Sequence, residues 1–365
     1  MHTAIRIGLM LALLAAAPAD LADGPYVTRT PTGWTAATVD GNGHPHRAAV
    51  RGNRVTIAPV DGVLGFTVPL RPAPSPAAAS EPLDPATPLL VLADTHGEYS
   101  ILVALLRAQG IVDAKLSWTF GRGHLVIAGD MLDRGPHHTQ ILWLLYKLEG
   151  EAAKAGGRVH VVLGNHESMV VRGDLRYLNP RYPKAAASLG AKSYAELLAA
   201  DTLLGGWLRS RPSILRLDDM LFLHGGISPA LTASGLSLDT IAAGNRRALN
   251  LTKAVTDADP TLALLVGREG PLWYRGYFPL DDKPATATDA EIEASLERFG
   301  AKRIFVGHTI VDRVTPLFGG KVVAVQVYPE RDKASGAPIL EGALRLGGRW
   351  WRVTAQGQRV PLDLD

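Results

Sequence analysis

The chain has 365 residues, 47% of them apolar and 20% charged, with a formal charge of +3 and no cysteine. That length holds one large domain or two with an ample core, and the composition is that of a soluble globular protein. Disulfides, thiolate zinc sites and thiol nucleophiles are excluded, and the basic residues are scattered, without the blocks and interleaved aromatics of a nucleic-acid surface.

His2 and Arg6 precede an apolar run over residues 7–16, and Ala17-Pro18-Ala19 supplies small residues at the cleavage positions. This is the layout of a secretory signal peptide cut after Ala19. The run is shorter than the ~20 residues that span a bilayer. We therefore expect a periplasmic or secreted protein without stable membrane association once residues 1–19 are removed.

Residues 20–70 alternate in short segments around Asp40-Gly41, Asn42-Gly43 and Gly52-Asn53, which predicts a small β module. Asp40, Asn42 and His44 resemble the start of a calcium loop but lack its later ligands, so turn chemistry is the better reading, with His44 and His46 exposed. Residues 71–88 hold six prolines and no periodic pattern, the signature of a linker or strap. From residue 89 onward, strand and helix patterns alternate, with helices expected over Tyr99 to Gln109 and His137 to Lys154. That rhythm predicts an α/β sheet covered by helices. Residues 172–219 break it with Arg172, Arg176 and Arg181 among Tyr177 and Tyr182, then two helical stretches. An insertion directly after a strand end is placed where a lid would lie, and a surface decoration with solvated arginines is the equal alternative. Lys321 to Tyr328 and Arg349 to Thr354 read as strands of a second sheet.

Five apolar runs each end in Asp, Asn or His, usually beside glycine: Asp94-Thr95-His96-Gly97, Gly129-Asp130 with Asp133-Arg134-Gly135 beyond, Gly164-Asn165-His166-Glu167, His224-Gly225-Gly226 and Gly307-His308-Thr309. One such motif is weak. Five buried strands ending alike place polar residues at one sheet edge, where distant segments share a site. Asp94, His96, Asp130, Asn165, His224 and His308 form a ligand set for two adjacent divalent ions, with Asp130 able to bridge them. Such a pair shares a water, lowers its pKa to yield a bridging hydroxide nucleophile, and neutralises a phosphoryl group as it reacts. Oxygen and imidazole ligands without sulfur suit Mn, Fe or Zn.

His166 would stand beside the metals as general acid for the leaving oxygen, its tautomer held by Asp133. Glu167 is better read as a structural hydrogen-bonding group. Arg134 offers a planar fork for two phosphate oxygens, and Arg275, within Gly270-Pro271-Leu272-Trp273-Tyr274-Arg275-Gly276, a second clamp.

These motifs, with Gly173-Asp174-Leu175-Arg176-Tyr177 and Trp273-Tyr274-Arg275-Gly276, resemble the calcineurin-like metallophosphoesterases, within them the phosphoprotein phosphatase branch, and most the bacterial Shewanella-like phosphatases. Asp23-Gly24-Pro25-Tyr26 resembles exported members of that group. The resemblance spans about residues 89–328 and implies a four-layer αββα sandwich as the domain over 89–365. It implies one metal on Asp94, His96 and Asp130 and another on Asp130, Asn165, His224 and His308. Ala93 departs from the pattern, standing where the family usually has glycine.

The resulting expectation is a phosphoric monoester hydrolase acting on phosphoproteins (phosphotyrosine or phosphoserine/threonine) or small phosphate esters. A nucleoside polyphosphate hydrolase of the dinucleoside tetraphosphate type and a non-catalytic metal-binding scaffold are the alternatives. Export argues against the first of these and an intact acid pair against the second. No nucleic-acid partner is expected.

Overall fold

A computed structural model describes residues 21–72, 75–280 and 284–364, so the signal peptide expected over 1–19 lies outside the described residues. Two six-stranded sheets form the centre. The first runs Arg359–Pro361, Arg349–Thr354, Glu341–Leu346, Leu89–Leu92, His124–Ala128, Arg158–Val162, the last three strands parallel. The second runs Thr315–Leu317, Val322–Ala324, Arg303–Val306, Met220–Leu223, Ile214–Leu217, Ser80–Glu81, with Met220–Leu223 and Arg303–Val306 parallel.

The layering follows from residue alternation along each strand. Leu89 and Val91 meet Phe222 and Phe305 in the core between the sheets. Leu90 and Leu92 face the other way, against the helices Tyr99–Ala108 and His138–Lys154. Leu221 and Leu223 face outward from the second sheet, against Ile241, Ile292 and Leu296 of the helices Leu238–Ala248 and Asp289–Phe299. Both sheets are therefore buried on two faces, which is why their strands read as continuous apolar runs. The four-layer expectation holds.

Three details differ from the sequence reading. The segment 71–88 is more than a linker: Arg71 bonds Tyr146 and Glu149, and Ser80–Glu81 pairs in parallel with Ile214–Leu217 as an edge strand. A two-residue strand has no periodicity to betray it. Arg349–Thr354 belongs to the first sheet, not the second, through its hairpin with Glu341–Leu346, which pairs with Leu89–Leu92. The insertion expected over 172–219 is shorter, because Ile214–Leu217 is already a strand of the second sheet. Its helices Arg181–Ser188, Tyr194–Leu197 and Leu203–Arg209 pack Tyr182, Tyr194 and Trp207 into the flank of the first sheet, together with Tyr26 and Val27 of the N-terminal strand Asp23–Thr30. Only the loop ahead of them borders the site. The N-terminal β module is likewise part of this core, and Asp40 spends its carboxylate on the turn, accepting the Asn42 and His44 amides, with His44 and His46 exposed.

Candidate metal and phosphate site

The five predicted strand ends converge, three from one sheet and two from the other. In each sheet the relevant strands are parallel neighbours, so the residues just past their ends sit side by side. The sheets are joined there by side chains: His224 Nδ1 hydrogen-bonds the Ala128 carbonyl at 2.8 Å, and the His308 amide donates to Asp94 Oδ2 at 3.1 Å.

Asp130 is the centre. Its Oδ2 lies 3.0 Å from His224 Nε2 and 3.8 Å from both His96 Nε2 and His166 Nε2, while Oδ1 accepts the His166 amide at 3.0 Å. His96 commits Nδ1 to the Leu132 carbonyl at 2.9 Å, which turns Nε2 inward. Asn165 Oδ1 also faces inward, 2.9 Å from His224 Nε2. Asp94 Oδ1 is 3.7 Å from His96 Nε2 and, although buried, has no hydrogen-bond partner. His308 completes a compact group of donor atoms with Asp130 and His224. All six predicted ligands are brought together.

The backbone is bent to achieve this. Asp94, His96, Asp130, Asp133, Arg134 and His308 all have left-handed φ angles between 41° and 66°. Such conformations cost about 1–3 kcal/mol each in non-glycine residues and persist where surroundings over-determine them. Glu167 supplies much of that determination. Its carboxylate accepts four backbone N–H groups, from Asp130, Met131, Leu132 and Gly164, at 2.8–3.0 Å. The structural role read from sequence is thus correct, and it fixes the loop that carries Asp130. Gly164 is required by space, since a Cβ there would fall 2.1 Å from Asp130 Oδ1.

The electrostatics fit a cation centre. Burial pushes the Asp94 carboxyl up to about 8. Burial would raise Asp130 as well, yet His224 and His166 hold it below the usual carboxylate range. Burial opposes a charge on His224, but Asp130 and Asp94 push it up to about 9. A buried set of carboxylates that must borrow a proton from an imidazole is one that divalent cations would satisfy, and the unpartnered Asp94 oxygen is aimed into it. The residues fit.

His166 also falls in a compact donor group, with His96 and Asp130, but unlike the other histidines of the site it hydrogen-bonds a carboxylate through Nδ1. Its Nδ1 is 2.6 Å from Asp133 Oδ2, and although burial lowers its pKa, the bond to Asp133 and the charge of Asp130 raise it above the ordinary value. With Nδ1 committed to Asp133, Nε2 is the nitrogen turned toward Asp130, the arrangement of an oriented proton donor. Arg134 extends into solvent with no carboxylate partner among the described residues, its guanidinium carbon 5.6 Å from the Tyr177 ring and 5.9 Å from that of Tyr328. Arg275 Nε donates to His308 Nε2 at 2.9 Å, so both predicted clamps border the cluster. Trp273 stands edge-on to His308 at 5.6 Å, whereas Tyr274 is buried in the outer core of the second sheet. Arg172, Arg176 and Arg181 are engaged elsewhere, with Thr256, Asp174 and the Pro136 carbonyl. Tyr177 and Tyr328 were not singled out from sequence as site residues, since an aromatic in a loop carries no spacing signal.

Residues 87–312 match the calcineurin-like phosphoesterase family model. The chain belongs to that family. Among solved structures, the cold-active protein-tyrosine phosphatase of a psychrophilic Shewanella species superposes with a TM-score of 0.83 at 34% identity, covering 94% of this chain and 99% of that one. Shewanella-like protein phosphatase 2 of Arabidopsis thaliana is 26% identical over 298 residues, 69% of this chain and 74% of its own length. The symmetrical bis(5′-nucleosyl)-tetraphosphatase of Wigglesworthia glossinidia brevipalpis is 30% identical over 151 residues, but these are 40% of this chain and 47% of that one. This phosphoesterase falls in the Shewanella-like branch of the phosphoprotein phosphatases and is a metal-dependent phosphatase.

Proposed function

We propose that this phosphatase hydrolyses phosphate monoesters on tyrosyl groups of proteins or peptides, with two divalent ions, Mn, Fe or Zn, in the cluster. Asp94, His96 and Asp130 would hold one, and Asp130, Asn165, His224 and His308 the other. Cations there supply charge neutralisation for the phosphoryl group and acidify a water. The chain's own residues supply the rest. Arg134 and Arg275 bind the non-bridging oxygens, Arg134 with two parallel N–H groups. His166 passes its Nε2 proton to the leaving oxygen while Asp133 holds Nδ1 and stabilises the tautomer.

The observation that carries this reading is the 2.6 Å His166–Asp133 pair set against the Asp130-centred donor group. A structural cation site has no use for an oriented proton donor at its rim. The tyrosine preference is supported by the Shewanella phosphatase, which aligns over nearly the whole of both chains. Export to the periplasm or medium, carried by residues 1–19, would put that activity on extracytoplasmic substrates.

The test is hydrolysis of p-nitrophenyl phosphate by chelator-treated protein, then with Mn²⁺ restored, followed by phosphotyrosyl peptides, phosphoseryl peptides and dinucleoside tetraphosphates. Activity lost to chelator, recovered with metal and highest on phosphotyrosine is expected. Activity indifferent to chelator would end the metal reading, and preferred cleavage of the dinucleotide would move the assignment to the polyphosphate hydrolases.

A further inference from the structure

Tyr177 is a large aromatic residue with 46% of its surface exposed, beside a buried catalytic centre. Its ring centroid lies 5.3 Å from that of His166, at a tilt of 50°. The backbone that carries it is held in place. The Tyr177 carbonyl accepts the Arg134 amide at 3.0 Å, and Asn179 Nδ2 donates to the Arg134 carbonyl at 2.9 Å. Leu175 and Leu178, on either side, pack on the core, and Asp174 is bonded twice by Arg176. The loop is therefore pinned at both ends, and to the same residue that grips phosphate.

The chemistry fixes which part of a substrate meets this ring. His166 gives its proton to the leaving oxygen, so that oxygen lies within hydrogen-bond reach of Nε2. The atoms attached to it must then lie beside whatever borders His166 on the solvent side. Tyr177, part-exposed and with its ring centroid 5.3 Å from that of His166, is such a neighbour. For an aryl phosphate those atoms are a ring, which stacks edge-on or offset on an aromatic wall. A phosphoseryl methylene gains little from the same wall.

We propose that Tyr177 is the leaving-group wall of this site and selects aryl over alkyl phosphate monoesters. This rests on the reading of His166 as the acid of a phosphomonoesterase.

The experiment compares Tyr177→Ala and Tyr177→Phe with the wild-type chain, all loaded with Mn²⁺, on phosphotyrosyl and phosphoseryl peptides of one sequence. In Tyr177→Ala the phosphotyrosyl-to-phosphoseryl ratio of kcat/KM should fall about three- to tenfold, the loss of one aromatic contact. Tyr177→Phe keeps the ring and should keep the ratio. As a readout independent of turnover, the Ki of phenylphosphonate relative to methylphosphonate should rise by a similar factor in Tyr177→Ala only. An unchanged ratio in Tyr177→Ala, whether absolute rates fall or hold, overturns the proposal. A ratio that drops equally in Tyr177→Phe does so too, assigning the effect to the hydroxyl. Failure of the wild-type chain to cleave either peptide would strike the phosphomonoesterase reading itself, so the two failures are distinguishable.

Discussion

The strands His124–Ala128 and Arg158–Val162 carry buried titratable groups at both ends. Burial lowers His96 and His308 in the site as it lowers the remote histidines, but His166 and His224 there are raised. Past their C-terminal ends lie Asp130, Asn165 and His166. Nearer their N-terminal ends His160 Nε2 meets His124 Nδ1 at 3.0 Å, both rings buried. Burial pushes His124 down to about 4 and His160 to about 3, helped by Arg158. In the site, burial acts on His224 in the same direction, but Asp130 and Asp94 reverse it. Burial by itself makes an inert neutral base. A carboxylate in direct contact, as Asp130 is with His224, can outweigh burial, and a buried set of such carboxylates is what cations would satisfy.

The most damaging way to break that contrast is to remove the central charge. Asp130→Asn should lose bound metal and hydrolysis together, both falling to background, as read by elemental analysis and p-nitrophenyl phosphate turnover. Retained metal at full occupancy would show that Asp130 is not the shared group. His166→Asn is the next largest. Turnover should fall about 10²–10⁴-fold for a lost acid while metal content stays near wild type. Loss of the metals instead would make His166 a ligand, in keeping with its 3.8 Å approach to Asp130 Oδ2.

Glu167→Gln probes the scaffold beneath. Each carboxylate oxygen accepts two amides, so an NH₂ at either position turns two accepted bonds into donor–donor contacts. With about 1–3 kcal/mol for each buried group left unmatched, we expect the urea midpoint to drop clearly. Metal affinity should weaken about 10–100-fold, as for lost outer-shell support. A variant with wild-type affinity would mean that the Asp130 loop holds its shape without this clamp.

Much of this site is legible in the sequence alone. Asp94, His96, Asp130, Asn165, His224 and His308 were found because each follows a buried apolar strand, and parallel packing then forces such ends together. His166 and Asp133 followed from chemistry, as a proton donor and its orienter. What stayed hidden depended on contacts between distant segments. The division of the strand ends between two sheets is set by pairings such as Leu223 with Val306, which no local pattern encodes. Ser80–Glu81 is too short for periodicity, and Arg349–Thr354 reads as a strand without revealing its partner. Tyr177 stands in a motif that the sequence shows, but its place beside His166 depends on the Arg134 amide that holds its carbonyl. The insertion looked like a lid because it follows a strand end, whereas Tyr182, Tyr194 and Trp207 are apolar anchors that draw its helices into the flank.

The smallest effect concerns the remote pair, and it sharpens the comparison most. The folded chain resists protonating His160 until about pH 3, whereas an unfolded histidine takes a proton near 6.5. Below pH 6.5 the unfolded state therefore binds the extra proton. The stability that this residue contributes is complete above that pH and is lost as the pH falls toward 3. At pH 5 one such histidine costs about 2 kcal/mol. His160→Gln can still offer a donor to His124 but does not titrate. Urea midpoints at pH 7 and pH 5, with metals stripped from both proteins, should show the acid-induced loss reduced by about that amount in the variant. Turnover at pH 7 with metal restored should match wild type, because the pair touches neither cation nor phosphate. An identical loss on acidification would mean that water reaches the His160 ring, and a fall in turnover would tie the two ends of these strands together in a way that their geometry does not.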